Sequence, residues 1–155
     1  MKALTARSIL LSVAVAFPAA SVLAADYSSL IEQRKRAYGE IGAAFKGIND
    51  QLRRPTPLLM MIRRYAVQIN GHATEQATDN WFPAGSGPEA GVKTAAKPEI
   101  WSQAPKFRGL QVNFKRSADA LSGAVNSGNV TAIQAQARVL GEVCAACHRD
   151  FRERT

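Results

Sequence analysis

Apolar residues along this chain recur at helical spacing. In a first segment, Tyr27 to Ile48, they fall at Tyr27, Leu30, Ile31, Tyr38, Ile41, Phe45 and Ile48. At 100° per residue these gather on one side, while Glu32, Arg36 and Glu40 project the other way. A second segment opens at Thr56-Pro57, with Thr as N-cap and Pro as first helical residue. It continues through Leu58, Ile62, Tyr65 and Ile69 and runs toward Trp81, past Gly71. Phe82 to Lys97 shows no periodicity. It is punctuated by Pro83, Gly85, Gly87, Pro88 and Gly91, and it reads as a long loop of the kind that carries function or wraps a neighbour. A third segment, Pro98 to about Asn126, holds Phe107, Leu110, Phe114, Leu121 and Val125 at helical spacing; Pro105 either starts that helix or kinks it. Asn126-Ser127-Gly128-Asn129 is a turn, and Asn129 is the N-cap of a fourth segment, Val130 to about Arg152. No stretch of useful length alternates with period two. Four amphipathic helices with two short links and one longer loop predict an all-α fold, an antiparallel up-and-down four-helix bundle.

The first two dozen residues follow a different pattern. Lys2 and Arg7 precede the apolar run Ile9 to Phe17, and Val22-Leu23-Ala24 precedes Ala25-Asp26. That order predicts a secretory signal peptide over residues 1–24, cut near Ala24 or Ala25, with the mature domain over 25–155. The apolar core is too short for a bilayer span of about 20 residues, so the mature protein is expected in the periplasm without a membrane anchor. The 155 residues have a formal charge of +8, with 46% hydrophobic and 21% charged residues, an ordinary globular composition for one domain. Loss of Lys2 and Arg7 with the signal lowers that charge by two. The remaining excess of basic residues suits docking to acidic patches on redox partners. It lacks the interleaved aromatics of a single-strand nucleic-acid platform.

The chain has only two Cys and two His, and three of these four stand together in Cys144-Ala145-Ala146-Cys147-His148. C-x-x-C-H is the attachment signature of haem c. Each thiol adds across one vinyl group of the macrocycle, forming a C–S bond and giving its proton to the vinyl carbon. The adjacent His then reaches the iron as proximal ligand. On a helical wheel the motif shares a stripe with Ile133, Ala137, Leu140 and Phe151, which holds a haem against the bundle interior. The competing readings are weaker. A thioredoxin-like pair wants a strand before it and a helix start, a zinc site lacks ligands, and a Cys144–Cys147 disulfide would strain a helix.

Arg34 is out of place on the apolar stripe of the first segment. A buried guanidinium needs an anion, which a haem propionate would supply; the alternative is a side chain snorkelling to the bundle edge.

The sequence resembles the class II c-type cytochromes, the cytochrome c′ family with its low-spin relatives. The resemblance rests on the C-terminal Cys144-Ala145-Ala146-Cys147-His148-Arg149-Asp150-Phe151-Arg152 and on Arg34-x-x-x-Tyr38 with Gly42. Phe82-Pro83-Ala84-Gly85-Ser86-Gly87, Val92-Lys93-Thr94 and Lys97-Pro98-Glu99-Ile100-Trp101 extend it. It implies one haem c on Cys144 and Cys147, His148 as iron ligand, Arg34 near the propionates and Arg152 near the proximal face. It places Tyr38 at the distal position, where low-spin members carry a ligating Met and c′ members a non-ligating residue under five-coordinate iron. Met60, Met61 and His72 are the other candidate distal ligands. Homodimers are common in the family. Two function classes follow. One is a periplasmic one-electron carrier, with five-coordinate iron or in a low-spin Met/His or His/His form. The other is a binding module for nitric oxide or another diatomic gas. Neither is an enzyme. A haem-free thiol oxidoreductase is the third reading.

Overall fold

The computed structural model describes residues 26–154; the signal peptide expected at residues 1–24 lies outside the described residues. Five helices follow one another: α1 Ser28–Leu52, α2 Leu59–Thr78, a single turn α3 Glu99–Ser102, α4 Ala104–Ser127 and α5 Val130–Phe151. Among the described residues there is no strand, only an isolated antiparallel bridge between Ala96 and Arg152, and no helix is long and apolar enough to cross a membrane.

The four long helices form an up-and-down bundle in which α1 packs on α2, α2 on α4 and α4 on α5. The α5–α1 seam closes the ring with the weakest packing of the four. Each helix buries one stripe: Ile31, Ala37, Ile41, Ala44 and Ile48 on α1, Ile62, Ala66, Ile69 and Ala73 on α2. Phe114, Ala118, Leu121 and Val125 on α4 and Ile133, Ala137 and Leu140 on α5 complete the core. Fully burying one such Ile or Leu contributes about 1.5–3 kcal/mol, so these stripes carry the bundle. A second, smaller cluster of Ala96, Ile100, Phe107 and Phe151 sits with the loop that follows α2.

Helix boundaries differ from the periodicity reading where distant groups intervene. Helix α2 starts at Leu59, and Thr56 is not its cap. The Leu58 N–H instead donates to Oε1 of Gln51 on α1 at 3.2 Å, so a side chain from the preceding helix satisfies that terminus. Helix α2 runs through Gly71 but stops at Thr78, short of Trp81. The third segment is two helices. Gln103 (φ −118°, ψ 40°) interrupts the helix, and Pro105 lies in the first turn of α4, where its missing N–H costs nothing. Asn129 caps α5 as expected, its Oδ1 accepting from the Ala132 N–H at 3.0 Å.

Candidate functional site

Arg34 is 3% exposed in the second turn of α1. Its Nη1 donates to the Trp81 carbonyl (3.1 Å) and Ser86 Oγ (3.2 Å), and its Nη2 to the Ser86 carbonyl (2.9 Å) and Thr94 Oγ1 (3.2 Å). The guanidinium also lies 4.4 Å over the Phe82 ring. All these partners belong to the loop between α2 and α3, so Arg34 fastens that loop across α1. The snorkelling alternative is excluded. No carboxylate pairs with Arg34 among the described residues. Burial pulls its pKa down from the usual guanidinium value, and the charge is held by neutral oxygens and a ring face alone.

One turn on, Tyr38 is enclosed by aromatic edges. Trp81 meets it T-shaped at 5.7 Å and Phe82 at 6.3 Å. Its hydroxyl accepts from Gln76 Nε2 at 2.5 Å. Burial holds the phenol far above its ordinary pKa, and proximity to Cys147 adds to that, so Tyr38 is neutral at physiological pH. Phe82 leads on to Phe107 (4.9 Å) and Phe107 to Phe151 (5.2 Å), an aromatic chain from the loop after α2 to the end of α5.

On α5, Cys144 packs against the main core, as Tyr38 does from α1, while Cys147 packs against the smaller cluster. Both are free thiols and partly buried. Burial pushes the Cys147 thiol up to about 11, with Cys144 and Asp150 adding to the effect, and pushes Cys144 up as well. At neutral pH both are therefore protonated, unlike the thiolates of a thiol oxidoreductase. His148 lies at the rim, exposed. Burial of part of its ring, with the Arg152 charge nearby, keeps its pKa below the ordinary imidazole value, which leaves a neutral ring with a lone pair to offer. After α5 the chain pairs with the loop before α3. Lys97 N–H donates to the Phe151 carbonyl (3.1 Å) and Glu153 N–H to the Ala95 carbonyl (2.8 Å). The loop is thus tied to α1 by Arg34 and to α5 by backbone.

These residues fit a haem c. Two uncrosslinked thiols stand one helical turn apart on α5, one against each of the two apolar clusters. A buried cation without an acid partner stands on α1, one turn from Tyr38, which lies near enough to both thiols to feel them. An anionic propionate would compensate that cation.

The other candidate ligands lie elsewhere or are engaged. Met60 is 79% exposed, and Met61 stands beside it in the first turn of α2, about 23 Å of helix away from Gln76 at 1.5 Å per residue. His72 has both ring nitrogens occupied, Nε2 by Glu40 at 2.8 Å and Nδ1 by Glu75 at 3.1 Å. Sequence reasoning passed over Gln76, the residue that holds the tyrosine. It occupies the next place on the buried α2 stripe Ile62, Ala66, Ile69, Ala73, a polar interruption of the same kind that singled out Arg34.

Comparison with known proteins agrees with this geometry. The family model described as Cytochrome C' matches residues 29–152. A curated cytochrome c' of Pararhodospirillum photometricum is 30% identical over 130 residues, covering 83% of this chain and 100% of that one. Among solved structures, cytochrome c' of Thermochromatium tepidum superposes with a TM-score of 0.77 at 24% identity, covering 84% of this chain and 100% of that one. A ferrous variant of cytochrome c prime from Alcaligenes xylosoxidans, with bound NO, gives a TM-score of 0.73 at 21% identity over 84% and 98% of the two chains.

Proposed function

The chain belongs to the cytochrome c′ family, and on that premise we propose that it is a periplasmic one-electron carrier with five-coordinate iron. It carries one covalently attached haem c, as the family does. In this reading Cys144 and Cys147 form the two thioethers, His148 is the proximal ligand, and Arg152 sits beside it. Arg34 offers its buried charge to the propionates while holding the loop from Trp81 to Thr94. The haem supplies the one-electron couple; the protein tunes it by ligation, burial and neighbouring charge. The exposed Arg149, Arg152 and Arg154 at the end of α5 favour docking to acidic partner surfaces, and such docking weakens with added salt.

The observation that carries the open distal position is Tyr38. It is a half-buried, neutral phenol close enough to the cysteine pair to feel it electrostatically, and a neutral phenol is a poor iron ligand. The low-spin forms are disfavoured because Met60 is exposed and His72 is engaged by two carboxylates. Tyr38 equally favours a second reading, binding of a diatomic gas. A vacant position beneath bulky aromatic side chains admits small ligands, and one structural neighbour is solved with NO bound. Absorption and EPR spectra of the purified ferric and ferrous holoprotein test both. High-spin, five-coordinate signatures with a ferrous form that takes up nitric oxide are expected. Six-coordinate low-spin iron in both oxidation states would overturn the open site, and an iron that cannot be cycled between oxidation states would overturn electron transfer.

A further inference from the structure

Gln76 is 7% exposed, and its carbonyl Oε1 is the one buried side-chain polar atom without a partner among the described residues. Its other amide atom, Nε2, is spent on the Tyr38 oxygen. Leaving a buried amide oxygen unmet costs about 1–3 kcal/mol, and an apolar residue here would avoid that cost, since Ile62, Ala66, Ile69 and Ala73 already make this stripe hydrophobic.

The amide and the hydroxyl together have two hydrogen-bonded states. In one, Gln76 N–H donates to the Tyr38 oxygen, and the Tyr38 proton is free for a third group. In the other, the amide is turned over and Tyr38 donates to the Gln76 carbonyl. Each state leaves one buried amide atom unpaired. Only the first leaves the hydroxyl proton to be given to another group, and accepting a bond from Gln76 polarises that donor further. Trp81 and Phe82 hold the ring from two sides, so the hydroxyl is fixed while its proton is not.

We propose that Gln76 is a positioning residue that turns the Tyr38 hydroxyl into a hydrogen-bond donor for a diatomic ligand at the distal position. The pair thereby selects ligands that draw negative charge onto their outer atom, such as nitric oxide, over carbon monoxide. This rests on the open distal site proposed above, with Tyr38 facing it. The established family assignment does not require it, because Gln76 hydrogen-bonds Tyr38 and neither the cysteine motif nor Arg34.

The test uses the ferrous holoprotein with carbon monoxide as probe, comparing wild type, Tyr38→Phe, Gln76→Met and the double variant. A donor to the bound ligand lowers the C–O stretch. Tyr38→Phe is expected to raise it in full, Gln76→Met by part of that amount and the double variant no further than Tyr38→Phe, and the ratio of nitric oxide to carbon monoxide affinity is expected to fall about tenfold in Tyr38→Phe. In wild type the stretch is expected to shift between H2O and D2O, a readout that needs no variant to fold. A stretch moved by Tyr38→Phe and untouched by Gln76→Met would overturn the role of Gln76. A stretch insensitive to both substitutions and to D2O would overturn the donor altogether while leaving the open site standing. A ferrous protein that is six-coordinate and takes up no carbon monoxide would overturn both the open site and this inference.

Discussion

Nη2 of Arg34 donates to the backbone carbonyl of Ser86 at 2.9 Å, joining two residues 52 positions apart in the chain. Ser86 is itself fully buried, and its Oγ donates to the Pro83 carbonyl at 2.8 Å while accepting from Nη1 of the same arginine. One cation therefore ties the loop to α1, while backbone bonds to α5 hold its other end.

Replacing Arg34 with Ala leaves the carbonyls of Trp81 and Ser86 without this donor. The expected loss is about 2–5 kcal/mol of stability, in line with breaking a buried polar network. Arg34→Lys recovers only part of it, because an ammonium cannot fork to four acceptors from one planar group. Urea unfolding measures the loss, and hydrogen exchange of residues 81–94 locates it; unchanged exchange there would contradict the clamp.

The Tyr38 phenol is held well above its ordinary pKa of 10.0, first by burial. Below pH 10 the group is neutral in both native and unfolded chains, so its contribution to stability is full. Above pH 10 the unfolded chain ionises and the native one does not, and stability falls by about 1.4 kcal/mol per pH unit from this group. Tyr38→Phe is expected to show a shallower alkaline decline than wild type between pH 10 and 12. Equal slopes in urea unfolding across that range would refute the burial of the hydroxyl.

Gly87 lies against the indole of Trp101. A Cβ there would sit 2.8 Å from Cη2 and Cζ3 of that ring. The ring cannot step aside freely, since its Nε1 donates to the carbonyls of Phe82 (3.2 Å) and Pro83 (3.0 Å). Gly87→Ala is expected to cost about 1–3 kcal/mol and to alter Trp fluorescence, as measured by thermal unfolding and emission spectra.

Haem attachment is expected to depend on the two thiols separately. Cys144→Ala and Cys147→Ala each retain one thioether and stay haem-stained on a denaturing gel. The double variant loses all covalent haem, leaving a group that acidified organic solvent extracts. Staining that survives in the double variant would contradict the assignment.

Much of the site was legible in the sequence because its chemistry is local. Cys144, Cys147 and His148 lie within one and a half turns of a single helix, and a motif that short carries its own geometry. Arg34 was visible as a polar residue on an apolar stripe, although its partners Trp81, Ser86 and Thr94 lie in a loop without periodicity. Gln76 broke its stripe in the same way. Its significance depends on Tyr38, 38 positions earlier, and no spacing rule links the two.

By itself the sequence determined the four long helices, their buried faces, the cap at Asn129 and the haem motif. These follow from backbone geometry repeated every 3.6 residues and from side chains acting within a turn. Only the tertiary structure decided that Gln51 terminates α2, that Pro105 begins a helix, that Arg34 grips the loop and that Gln76 holds Tyr38. Each of these is fixed by which buried donor finds which acceptor once the helices have packed, and that pairing depends on where the chain returns in space.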